Sequence, residues 1–189
     1  IPKILKDAAT LYDDDRAVLL SFTSDPYQPG EGKSQVTRKI LSAFRDNNVR
    51  YKILTKGGLR PVRDFDIMAD SRCQFGVSLT LSSEKARRYW EPGAASIADR
   101  IEGLRQAKAR GISTWVSAEP VLMPDEVIDL FTRCHELVDH WRVGKLNHHA
   151  FAKAIDHKRF LHKAVETLEG LGAIYYIKSD LAKVDPALM

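Results

Sequence analysis

The 189-residue chain is short of several things that would narrow its class at once. It has two cysteines, Cys73 and Cys134, far apart and without CxxC spacing. Two buried thiols in a cytoplasmic setting are the ordinary reading; the pattern allows a disulfide without suggesting one, and neither cysteine has the look of a metal ligand. No apolar run approaches the roughly 20 residues that cross a bilayer. No secretory leader is recognisable at the start. Neither G-x-G-x-x-G nor G-x-x-x-x-G-K-[ST] follows the first strand pattern, and G-x-S-x-G is missing. No Asn-Gly or similar hairpin signal joins two strand patterns. The net charge is +4, and the basic residues are scattered with no arginine-rich block. Such a charge permits a nucleic-acid partner without requiring one. The six histidines do not gather into a ligand set. His135/His140 and His157/His162 are five apart, off the i,i+4 helix face, and His148-His149 falls in a loop, so no metal site is expected.

What is present is a strand–loop–helix repeat. With hydrophobic residues at 44% and charged residues at 29%, the composition is that of an ordinary globular domain, and the length suits a single domain over 1–189. Helical spacing marks residues 1–10, 34–47, 96–109, 125–139 and 156–170, with a short helix from Pro61 to about Ala69. Strand patterns fall at 17–22, 51–55, 73–81, 112–118, 141–146 and 173–178. Alternation of this kind implies α/β class and a parallel sheet with helical crossovers. Without a dinucleotide or phosphate loop, a partial (β/α)6 barrel is favoured over a doubly wound sheet. In barrels the functional groups stand just past the strand C-termini. Those positions read Ser24/Asp25, Thr55/Lys56, Ser78/Thr80, Glu119 and Lys145/Asn147, every one polar. The loop after the first strand, Thr23-Ser24-Asp25-Pro26-Tyr27-Gln28-Pro29-Gly30-Glu31-Gly32, carries more function-capable groups than a connection needs.

The blocks "LLSFTSDPYQPGEG…TRKIL", "ILTKGG…RD", "GVSLT", "EPGAASIADRIEGL…GI", "SAEPVL", "GKLN" and "YIKSDL" resemble successive blocks of radical SAM enzymes, nearest the spore photoproduct lyase-like branch. The resemblance covers nearly the whole chain in order. It implies a partial (β/α)6 barrel in which a [4Fe–4S] cluster, held by a CxxxCxxC loop after the first strand, cleaves S-adenosylmethionine (SAM). The resulting 5′-deoxyadenosyl radical would abstract hydrogen, with lyase or repair chemistry on nucleic acid as the implied class. The chain has no CxxxCxxC. Because the sequence starts at Ile1 and its first helix matches the one that follows that loop, the expectation is an N-terminally incomplete barrel lacking its first strand, with the cluster ligands upstream. Such a chain would be inactive alone and open to self-association through an exposed strand edge.

Carried over residue by residue, the resemblance gives Ser24-Asp25 to the SAM amino group and Lys56 to its carboxylate. It gives Ser78 to the ribose, Glu91 and Arg100 to the methionine polar groups or to each other, and Glu119 to the adenosine side. Tyr27, Lys145, Asn147 and Lys178 would face substrate. The residues themselves leave other readings open. Asp25 is equally suited to capping the turn with Pro26, and Lys56 to standing exposed at a strand end. Glu91–Arg100 suits a structural ion pair, Ser78 a backbone hydrogen bond, and Tyr27 and Trp90 packing. Arg87-Arg88-Tyr89-Trp90 mixes cations and rings as a nucleic-acid platform does, although a helix end with a snorkelling basic pair explains it as well. The rival from another class is a cluster-less barrel that binds a nucleotide-like ligand or a partner. A hydrolase using Asp25 and Glu31 as acid and base is a weaker third.

Overall fold

A computed structural model describes residues 2–8, 10, 16–20 and 23–188. Six strands, β1 (Val18–Leu20), β2 (Tyr51–Thr55), β3 (Cys73–Ser78), β4 (Ser113–Val121), β5 (His140–Lys145) and β6 (Tyr175–Ile177), follow one another in chain order through the sheet. At least one helix lies between each consecutive pair, and the strand pairings β1–β2, β2–β3, β4–β5 and β5–β6 are parallel. The class is therefore α/β with the strand order of a partial (β/α)6 barrel, as the alternating pattern predicts.

The chain forms two compact units. Unit 1 comprises Ile1–Val77 and Ala98–Thr114, and unit 2 comprises Ser78–Ile97 and Trp115–Met189. In unit 1, α1 (Pro2–Ala8) packs on α3 (Val36–Asp46), and α3 on α4 (Phe65–Ala69). The alternation of β2 and β3 sends Tyr51, Ile53, Cys73, Phe75 and Val77 to one buried side. There Tyr51 meets Phe44 of α3 at 5.5 Å and Phe75 meets Phe65 of α4 edge-on at 5.0 Å. Such ring pairs add about 1 kcal/mol each to the burial itself. The amphipathic face of α3, Ile40, Leu41 and Phe44, is what ties it to the sheet. α3 stops at Asn47-Asn48, where Asn48 adopts φ 52, the left-handed conformation asparagine tolerates. α6 (Ile97–Ala109) supplies Gly103. A β-carbon there would lie 3.0 Å from the Gly58 carbonyl, so that backbone approach requires glycine.

In unit 2, α7 (Pro124–Cys134) and α8 (His157–Gly170) pack together. Val116 and Ala118 of β4, and Trp141 and Val143 of β5, are fully buried, and Trp141 meets Phe131 of α7 edge-on at 4.8 Å. On β5 the alternate positions His140 and Arg142 are polar and half-buried, whereas β4 is buried on both faces from Thr114 to Ala118.

Two helices lie outside the predicted set. α5 (Glu84–Trp90) has a Ser83 cap whose hydroxyl accepts from Ala86 N–H, and none of its residues is buried. It therefore leaves no apolar period in the sequence. α9 (Ser179–Ala182) is a single turn. Helix α2 (Glu31–Ser34) opens the region predicted as helix from residue 34, and Gln35, at φ 48, separates it from α3. The third predicted strand, 73–81, is cut to Cys73–Ser78, and the first, 17–22, runs Val18–Leu20 with residues 21–22 outside the described set.

Candidate functional site

In unit 1 the loop after β1 is organised by Asp25. Its Oδ1 accepts from Tyr27 N–H at 2.8 Å and from the Thr55 hydroxyl at 2.6 Å, and its Oδ2 accepts from Lys56 N–H at 2.6 Å. Three donors take most of a carboxylate's capacity of about four. The Asp25 side chain therefore locks the loop to the end of β2. Thr55 Oγ1 also accepts from Gly57 N–H at 2.8 Å, and a β-carbon on Gly57 would lie 2.8 Å from both Thr55 Oγ1 and Tyr27 Cβ. Glycine is thus required where the β2 end meets the β1 loop. Lys56 is half-buried beside this junction.

Below it runs a second polar network that the sequence did not disclose. Tyr27, expected to face substrate, is fully buried, with its hydroxyl 3.0 Å from Asp64 Oδ2. The ring therefore has no open face for a ligand. Burial first, then the Asp64 carboxylate, holds the Tyr27 phenol protonated far above its usual range. Asp64, itself 0% exposed, is ion-paired to Arg38 Nη1 at 2.9 Å and to Arg63 Nε at 3.4 Å. Arg38 reaches on to Asp66 at 2.7 Å, which lowers the Asp66 pKa through that charge-assisted bond. Glu31, 8% exposed, accepts from Thr37 N–H, the Ser34 hydroxyl and Arg63 Nη2 at 2.8–2.9 Å. That use of Glu31 leaves it no part as a free acid or base. Between this loop and α3 lies a cavity of about 500 Å³, lined among others by Ser24, Asp25, Gln28, Glu31, Ser34 and Thr37, within the usual size range of small-molecule sites. Arg100, in α6, is buried.

In unit 2, Ser78 is buried at the end of β3. Glu91 follows α5 and accepts from the Thr80 hydroxyl at 3.4 Å. Arg87 is used to hold that segment, bonding Glu84 at 2.7 Å and the Ala94 carbonyl at 2.9 Å, so it does not form a free cationic platform. Tyr89 is 78% exposed, while Trp90 packs among Tyr89, His149 and Phe151. Glu119 of β4 and Lys178, just past β6, form an ion pair across β5. The crossing passes over Gly144, where a β-carbon would lie 2.7 Å from Glu119 Oε1 and 2.9 Å from Lys178 Cδ. Gly144 is what allows two strand ends flanking β5 to touch. Lys145 ends β5, and the exposed Asn147 amide donates to Asp180 of α9. Of the strand-end residues read in the sequence, the structure thus brings together Ser24, Asp25, Tyr27 and Lys56 in unit 1, and Glu119 with Lys178 in unit 2. Asn147 takes a separate partner.

Cys73 and Cys134 are both buried free thiols, one in each unit, and burial pushes the Cys73 thiol up to about 12. Two core thiols do not fit the three-thiolate set that the resemblance implies for a cluster. Among the described residues no three His, Cys, Asp or Glu side chains are grouped to hold a metal ion, and no helix is long and apolar enough to cross a membrane.

No protein-family model matches the chain. It is 32% identical over 114 residues to the uncharacterized protein ORF301 of Acidianus two-tailed virus, covering 59% of this chain and 37% of that protein. It is 30% identical over 109 residues to the uncharacterized protein Rv2578c of Mycobacterium tuberculosis, covering 56% of this chain and 32% of that one. The matched part thus spans about a third of these relatives. Among solved structures, Streptococcus suis SuiB superposes with a TM-score of 0.73 at 15% identity, covering 98% of this chain and 45% of SuiB. SuiB has also been solved bound to S-adenosylmethionine and to the precursor peptide SuiA. Spore photoproduct lyase complexed with dinucleoside spore photoproduct superposes with a TM-score of 0.69 at 13% identity, covering 93% of this chain and 66% of the lyase. The chain shares its fold with these two proteins over nearly its whole length.

Proposed function

We propose that this chain is the S-adenosylmethionine-binding portion of a radical SAM-type protein. The observation that carries the reading is the set of polar residues at successive strand C-termini on a fold shared with SuiB, a protein solved with SAM bound. In this reading Lys56 pairs with the SAM carboxylate as a compact cation on a half-buried stem. The Ser24-Asp25 segment receives the amino group through backbone carbonyls, because the Asp25 carboxylate is committed to Tyr27, Thr55 and Lys56. Its side chain acts by fixing the loop. Ser78 and Glu119 take the nucleoside roles carried over by resemblance, and Glu91 and Arg100 those of the methionine polar groups. SAM, when bound, would present an activated sulfonium, and the three thiolates that a reducing [4Fe–4S] centre would need are not supplied by the two buried cysteines of this chain. The residues of this chain hold, orient and shield it but do not provide that centre.

Isothermal titration with SAM tests the reading without any turnover. SAM should bind, and Lys56→Ala should weaken it about tenfold, the worth of one hydrogen-bonded charge contact. Ser78→Ala, Glu91→Gln, Arg100→Lys and Glu119→Gln test the other roles one at a time. An absence of SAM binding would favour the cluster-less binding module instead. Nucleic acid as the substrate class and self-association through a strand edge belong to the same proposal, and gel shift and light scattering respectively decide them.

A further inference from the structure

The polar side of the unit 2 sheet holds a cation with no polar partner. In the β4–β5–β6 register Ser117 lies opposite Arg142, and Arg142 opposite Tyr176. Their neighbours Val116, Trp141 and Tyr175 point the other way, as strand alternation requires. The Arg142 guanidinium lies 5.6 Å from the centre of the Trp115 ring and 5.9 Å from that of Tyr176. Both are within cation–π range. Those two rings are its only contacts of this strength: among the described residues no carboxylate, carbonyl or amide bonds to it. The Trp115 indole N–H, also buried, is likewise without an acceptor. A guanidinium carries five donors in one plane. Aromatic rings accept no conventional hydrogen bond in the way a carboxylate does, so among the described residues these donors stay uncommitted. Ion-paired arginines elsewhere in the chain, such as Arg38 and Arg63, spend theirs on carboxylates.

Further along this side Glu119 and Lys178 neutralise each other across Gly144. On β6, Tyr176 is 50% exposed and Ile174, just before it, 67% exposed. The stack therefore borders accessible apolar surface.

We propose that Arg142, placed against the Trp115 and Tyr176 rings, is an oxyanion-receiving residue for a carboxylate or phosphate carried on an apolar or aromatic body. The planar fork matches the two oxygens of either group. The ring pair fixes the fork before a ligand arrives, so little side-chain freedom is lost on binding. This site rests on unit 2 alone and stands or falls separately from SAM binding.

The test is isothermal titration of the full chain with phenyl phosphate, benzoate, inorganic phosphate and the neutral benzamide. Phenyl phosphate or benzoate should bind at about millimolar affinity, and the stronger of the two identifies the oxyanion. Benzamide should not bind. Arg142→Gln should weaken the bound anion about tenfold or more. Arg142→Lys, which keeps the charge but loses the fork, should weaken it several-fold. Tyr176→Ala should weaken the ring-bearing anions and leave inorganic phosphate unchanged. Near-ultraviolet circular dichroism of each variant confirms the fold. Wild-type affinity in Arg142→Gln, equal binding of benzamide, or no binding of either ring-bearing anion overturns the proposal.

Discussion

The two units handle polar groups in opposite ways. Unit 1 closes its network on itself. Asp25, Glu31 and Asp64 each accept from two or more donors, and Arg38 and Arg63 are spent on them. Unit 2 sets the Glu119–Lys178 ion pair over a glycine, and leaves Arg142 beside two aromatic rings with no acceptor among the described residues. A buried charge is tolerated only when its bonds are complete, which makes the unit 1 network architectural. A cation seated where its donors remain open can serve a ligand. Chemical type alone does not separate the two: Glu and Arg appear in both sets.

The largest effect should come from opening the closed network. Asp64→Asn removes the charge between Tyr27, Arg38 and Arg63, all bonded to a residue that is 0% exposed. Breaking a buried pair this way costs about 3 kcal/mol or more, read as a lower urea midpoint with an unchanged slope. A loss under 1 kcal/mol would mean the network is not the clamp described.

Next in size is Gly144→Ala in unit 2. Its β-carbon would overlap Glu119 Oε1 and Lys178 Cδ, and a forced overlap in a packed site costs about 1–3 kcal/mol. Both opposing groups are on long side chains, so Glu119→Ala in the same chain should restore part of the loss. If the double variant is as unstable as the sum of the singles, the strain lies elsewhere.

The smallest is a pH effect confined to the rim of unit 1. Arg38 lowers the Asp66 pKa, so the pair adds stability above the ordinary carboxylate pKa, and this is lost as pH falls through the lowered folded value. Asp66→Asn should therefore lower stability at neutral pH by a small, solvent-screened amount, leave it unchanged at the acid end, and so flatten the acid limb of the stability curve. Parallel acid limbs for both proteins would show that the exposed pair is screened by solvent.

Much of the frame was legible because strands and amphipathic helices write periods into the sequence. Residues 51–55 form β2 as read, and Asn47-Asn48 ends α3 as asparagine allows. Helix α5 escaped because its stability is local: a Ser83 cap and a Glu84–Arg87 pair, with no buried face to leave a period. The Ser-x-x start before a run of helix-forming residues was its available signal. Tyr27 stayed between two readings because a tyrosine between prolines looks the same whether it covers a ligand or fills a core. The deciding fact, Asp64 37 residues away, is not local.

The sequence by itself determined the strand–helix alternation, the polar strand ends and the lack of a three-cysteine motif, since each is a property of neighbours along the chain. Tertiary structure alone decided which of those polar groups are spent. Whether Asp25 is consumed by Thr55 and Lys56, or Arg142 is met by the rings of Trp115 and Tyr176, depends on partners 27 to 34 positions away. Strand pairing brings those partners together, and no period along the chain records them.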